Sequence, residues 1–126
     1  MTLNKCYCGS SEPFESCCNL YINGDQKAPT ALALMKSRYS AYAIHQADYL
    51  LETTHSSERK YYSREEILNW ATANQWQKLE IISATENTVE FKAYFLDENN
   101  VNQVHHEFST FKQENGSWFY VDGTFK

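Results

Sequence analysis

Residues 104–125 read VHHEFSTFKQENGSWFYVDGTF: two runs that alternate with a period of two, joined by QENG. Asparagine followed by glycine between two such runs is turn chemistry, so the stretch reads as two antiparallel strands, Val104 to Lys112 and Ser117 to Phe125. Working backwards, Leu79 to Ala84 and Val89 to Leu96 show the same period, and TEN and DENN separate the runs. Upstream of Trp76 the period becomes helical. Thr30 caps a helix on which Leu32, Met35, Tyr39 and Tyr42 form one apolar stripe to about His45. Asp48 caps a shorter helix through Tyr49, Leu50 and Leu51. Ser63 and Glu66 form a capping box, and Ile67, Leu68 and Ala71 carry a third helix toward Asn74. Helices first and consecutive strands afterwards predict an α+β fold, with helices packed on one face of a curved antiparallel sheet.

The chain has 126 residues, 42% hydrophobic and 15% aromatic, enough for one packed domain with at most a small appended module. Its formal charge of −5 speaks against a general nucleic-acid binder, which presents a basic face to phosphate. No run of about 18 apolar residues is present, which excludes a membrane-spanning helix. The start MTLNKCYC lacks a signal peptide's apolar stretch, and a cytoplasmic protein is expected.

All four cysteines fall within CYCGSSEPFESCC, residues 6–18. Cys6, Cys8, Cys17 and Cys18 follow CxCx8CC, the ligand number of a closed tetrahedral structural zinc site. Gly9 permits a turn after the first pair and Pro13 stiffens the return. The alternatives are a disulfide or redox pair, disfavoured where thiols stay reduced. A catalytic zinc is a further alternative, disfavoured because four thiolates leave no open position.

The cysteine pattern resembles the SEC-C motif, the zinc knuckle of the SecA translocation ATPase, whose ligands follow CxCx8C[CH]. There the knuckle docks onto proteins, so the resemblance implies structural Zn2+ and a protein partner. The basic residues that usually follow are replaced here by Ser10, Ser11, Glu12 and Glu15. Residues 19–29, NLYINGDQKAP, read as turn and linker. The helix and strand order resembles the nuclear transport factor 2-like fold, a cone of helices against a bent sheet with a pocket between them. MKSRYSAYAIHQADYLLETTH, WQKLEII and HHEFSTFKQENGSWFYVDG resemble the YchJ-like family, which joins a SEC-C knuckle to this cone. That implies a zinc knuckle at 1–22, a linker at 23–29 and a cone domain at 30–126.

Alternation on HHEFSTF places His105, Glu107, Ser109 and Phe111 on one face and His106, Phe108 and Thr110 on the other. Glu107, Ser109 and Phe111 match the family pattern, so theirs is the face expected to line the cone. Two readings follow for the polar residues. In one, Glu107 or Asp122, with His55 and Arg38, forms an acid–base constellation in an aromatic pocket, with burial raising the carboxyl pKa. In the other, Arg38 and Glu107 form an internal ion pair between helix and sheet. His55 lies either at the pocket rim or at a helix end, where a cation is favoured. His105 and His106 point to opposite faces and do not suit one shared ion.

The expectation is a cytosolic, zinc-binding, non-catalytic module for protein interaction or ligand binding, with space for a small apolar ligand in the cone. The rival is a small-molecule enzyme of isomerase, dehydratase or hydrolase type using the residues of the cone.

Overall fold

The structure, a computed structural model, describes residues 5–125. It is α+β, with helices α1 (Asn19–Ile22), α2 (Ala31–Ala43), α3 (Ala47–Glu52) and α4 (Arg64–Ala73) preceding strands β1 (Gln75–Ala84), β2 (Thr88–Leu96), β3 (Asn102–Glu114) and β4 (Ser117–Phe125). The strands form one antiparallel meander in sequence order.

The local signals place the elements. Thr30 accepts from the Ala33 N–H at 3.0 Å and starts α2, and Ser63 does the same for Glu66 and α4, satisfying backbone donors that have no intrahelical partner. Asn115 and Gly116 both take positive φ, 53° and 81°, the two left-handed positions of a type I′ hairpin. Asp97 closes the β2–β3 turn by accepting from the Asn99 and Val101 amides. Asp48 is not the cap of α3. The chain enters that helix at Gln46, and Asp48 sits in the first turn, paired with Arg64 at 2.6 Å.

Three register shifts bend the sheet: Gln77 and Ile82 have no partner on β2, and Val121 has none on β3. Each extra residue increases local twist and curls the sheet over the helices. Its concave face carries Val89, Phe91, Ala93, Glu107, Ser109 and Phe111, all buried. Beyond α3 the chain runs beside β4: Tyr120 N–H donates to the Thr53 carbonyl at 2.7 Å and His55 N–H to the Tyr120 carbonyl at 2.8 Å. That segment covers part of the sheet's edge.

The apolar stripe foreseen for α2 is an underestimate. Ala31, Leu34, Met35, Ser37, Arg38, Tyr39, Ser40 and Ala41 are all buried, while Leu32 is only half-buried. The helix is covered on several sides, by α3, by the sheet and by the cysteine knuckle. The knuckle joins the same apolar cluster as α2 and the sheet, through Cys6, Cys8 and Cys18, so it packs on the cone rather than swinging from the linker. Residues 19–22 form the short helix α1, directly after the last two cysteines.

Gly123 faces the concave side opposite Ser109, where a Cβ would run into the Glu107 carboxylate. Gly123→Ala is therefore expected to lower stability by about 1–3 kcal/mol, the usual penalty of overpacking, measured as a shift in the urea midpoint. An unchanged midpoint would mean that Glu107 yields without loss.

Candidate functional site

Two sites emerge, one on each side of α2. In the first, a bridge between Lys5 and Pro13 and the Cys6 N–H bond to the Glu12 carbonyl at 2.8 Å fold the knuckle back on itself. Gly9, at φ 94°, supplies the turn. The Sγ atoms of Cys6, Cys8, Cys17 and Cys18 all lie within 4.8 Å of one another, with Cys8 to Cys17 at 3.8 Å. A tetrahedron with metal–sulfur bonds of about 2.3 Å has sulfur–sulfur edges of about 3.8 Å, so the four cysteines are placed to hold one metal ion. Hydrogen bonding to Cys6 and Cys8, followed by burial, pushes the Cys18 thiol up, whereas hydrogen bonds from Cys18 and Cys8 pull Cys6 down. Such crowding favours a cation that displaces the protons. Ser10 Oγ lies 3.2 Å from Cys17 Sγ and Ser40 Oγ 3.6 Å from Cys6 Sγ. Tyr7 and Phe14 stack edge-on over the loop at 5.4 Å.

The second site is a cavity of about 200 Å³ inside the cone. Tyr39 and Tyr42 from α2, Trp70 from α4 and Trp76 from β1 form an aromatic wall, with centroids 5.4 to 6.1 Å apart. The floor is β3. Glu107, 6% exposed, accepts from His105 Nε2 at 2.7 Å, Ser109 Oγ at 2.5 Å and Tyr120 Oη at 3.0 Å. Burial acts to raise its pKa, but the His105 and Ser109 hydrogen bonds, the charge of His105 and the Tyr120 hydroxyl outweigh it and hold Glu107 below the usual carboxylate value. The expected upward shift is thus reversed, because the carboxylate has donors on both its oxygens.

The Arg38–Glu107 ion pair does not form. Among the described residues Arg38 has no carboxylate at ion-pair distance. Its Nη1 donates instead to the Leu50 carbonyl at 2.9 Å and to Thr53 Oγ1 at 2.6 Å, and its guanidinium stacks 4.6 Å from the Tyr120 ring centre. The other two candidates lie outside the cavity lining. Asp122 is exposed and pairs with Thr110, whereas Tyr120 pairs with Phe111; the unpaired Val121 between them turns Asp122 to the convex side. His55 bonds Glu114 Oε2 through Nε2 and Ser57 Oγ through Nδ1, both at 2.9 Å. The order serine, histidine, carboxylate is suggestive, but Ser57's own amide also donates to Nδ1, at 3.2 Å. The arrangement closes a local turn and ties it to β3.

The structure therefore brings Arg38 and Glu107 into one cavity and leaves out Asp122 and His55. His105 proves to be the principal partner of Glu107, while His106 faces the other way onto Glu90 at 2.8 Å. Tyr62, Trp70 and Trp76 were not foreseen as lining. Trp70 had a signal, being three residues after Ile67 on the same helical face.

Residues 30–123 match the family model described as "YchJ, middle NTF2-like domain". A UPF0225 protein of Enterobacter sp. (strain 638) is 41% identical over 94% of this chain and 82% of its own length. One from Geobacter sulfurreducens is 35% identical over 95% and 78%. The solution structure of a SEC-C motif containing protein from Rhodopseudomonas palustris superposes with a TM-score of 0.88 at 32% identity, covering 96% of this chain and 98% of that one. The crystal structure of a SEC-C motif containing protein from Psychrobacter arcticus gives 0.81 at 30%, covering 98% and 83%.

Because the pKa of Glu107 is depressed on folding, its contribution to stability is complete above the ordinary value of 4.5 and is lost as the pH falls through the folded value. Glu107→Gln should lower stability near neutral pH by about 1.5–3 kcal/mol, the scale of hydrogen bonds to a charged group, and should flatten the loss of stability below pH 4.5. Denaturant titrations across that range measure both; parallel pH profiles for the two proteins would contradict the assignment.

Proposed function

The chain belongs to the YchJ family, and on that premise we propose that it is a cytosolic, zinc-stapled protein whose cone binds a small molecule. The observation that carries this reading is the cavity of about 200 Å³, walled by aromatic rings and floored by a carboxylate that accepts three hydrogen bonds. Ligand sites are commonly apolar concavities with a few placed polar groups.

Zinc is the metal that the donor set favours: four thiolates, two close pairs and no open position. Three of the four cysteines are buried in the cluster that contains Leu34, Met35 and Tyr39. The inner side of the knuckle is therefore occupied with packing, which supports a staple over a freely presented docking module. A protein partner, as the SEC-C resemblance implies, would meet its outer side, where Tyr7 is 48% exposed.

The acid–base enzyme is the weaker reading. With its pKa held down, Glu107 has no proton to donate near neutral pH, and its three hydrogen bonds make it a poor base.

Two measurements test the proposal. Elemental analysis of the purified chain should give one zinc per molecule, and chelation should lower the melting temperature by at least about 5 °C, the effect of roughly 1 kcal/mol in a domain of this size. An unchanged melting temperature would remove the staple. For the cone, benzyl alcohol, benzylamine and benzoate are titrated while the indole resonances of Trp70 and Trp76 are followed by NMR. Binding by at least one member is expected, and silence from all three would overturn the ligand-binding reading.

A further inference from the structure

Arg38 is 8% exposed and lines the cavity, yet its charge has no carboxylate partner among the described residues. Burying a charge is costly unless a counter-charge and hydrogen bonds compensate it. Two neutral oxygens engage Nη1 and a π face covers the plane, while Nε and Nη2 carry no hydrogen bond among the described residues. Tyr39, 3% exposed, lines the same cavity and its hydroxyl also has no partner there, nor has that of Tyr42. No fully buried polar side-chain atom among the described residues lacks a hydrogen bond. The groups without partners are therefore open to space, and the space that these residues line is the cavity. Burial raises the pKa of both phenols, Tyr39 to about 12, so both keep their protons.

The polar balance of the cavity is thus one-sided. Glu107, its anionic acceptor, is engaged by three donors, whereas a guanidinium edge and two phenols are open. An ammonium ligand would meet Arg38 with no vacant anion to receive it. A carboxylate would supply the missing counter-charge and accept from the guanidinium edge and a phenol. Size sets the rest of the molecule: a dry cavity of about 150 Å³ takes up benzene, so about 200 Å³ has room for a six-membered ring bearing one further group, flanked by Trp70, Trp76 and Phe91.

Resting on the reading of the cone as a ligand site, we propose that its ligand class is a small ring-bearing carboxylate, with the carboxylate at Arg38 and Tyr42 and the ring against the tryptophans. The full chain is titrated calorimetrically with benzoate, its neutral isostere benzamide and benzylamine. Benzoate should bind at least about tenfold more tightly than either, the effect of one charge-assisted hydrogen bond. Tyr42→Phe removes one hydroxyl and leaves the ring, and should weaken benzoate by about threefold to tenfold while leaving benzamide within twofold of its starting value. Arg38→Met should abolish the preference for benzoate if that variant folds; Tyr42→Phe decides the matter if it does not. Equal or tighter binding of benzamide or benzylamine would overturn the carboxylate assignment and leave the ligand-binding cone standing. Binding by none of the three would overturn both.

Discussion

A carboxylate inside an aromatic cavity is tolerated only if its charge is met from within, and Glu107 shows how this fold does so. Two of its donors come from its own strand, His105 and Ser109, two residues away on either side and so on the same face. The third, Tyr120, comes from β4. That tyrosine in turn receives the Arg38 guanidinium on its ring and the segment after α3 on its backbone. One anion thereby fixes a strand pair, orients the ring on which the α2 arginine stacks, and requires a residue without a Cβ at Gly123. Disturbing it reaches beyond β3, because Tyr120 links the carboxylate to β4, to the α2 arginine and to the segment after α3.

Helix α2 is the second organising element. Its buried serines are small enough for neighbours to approach closely, and both are satisfied: Ser37 Oγ meets Tyr49 Oη at 2.6 Å, and Ser40 Oγ meets Cys6 Sγ. One side of the helix thus contacts the cysteine cluster while Arg38, Tyr39 and Tyr42 open onto the cavity. The superpositions on two SEC-C motif proteins extend over nearly the whole chain, which fits a knuckle and cone built as one packed unit.

Features encoded within a few residues were legible in the sequence. The caps at Thr30 and Ser63, the Asn115–Gly116 turn, the change of period after Trp76 and the spacing of the cysteines each depend on neighbours along the chain, and the structure reproduces them. The inward face of β3 was legible for the same reason, since alternation places Glu107, Ser109 and Phe111 together. Resemblance to known families added the knuckle and the cone.

What escaped the sequence depends on partners distant along the chain. Strict alternation would put Asp122 on the same face as Tyr120; one unpaired residue, Val121, reverses it, and nothing in the composition of WFYVDG announces the bulge. Arg38 and Glu107 have opposite charges and share a cavity, yet each is engaged elsewhere, because the Leu50 carbonyl, the Thr53 hydroxyl and a tyrosine face hold the guanidinium and a histidine holds the carboxylate. Periodicity assigns a residue to a face and spacing assigns a thiol to a cluster, both through short stretches of backbone. Which polar groups remain open inside the cavity is set by strand register and by how helices rest on the sheet, and these emerge only when the whole chain packs.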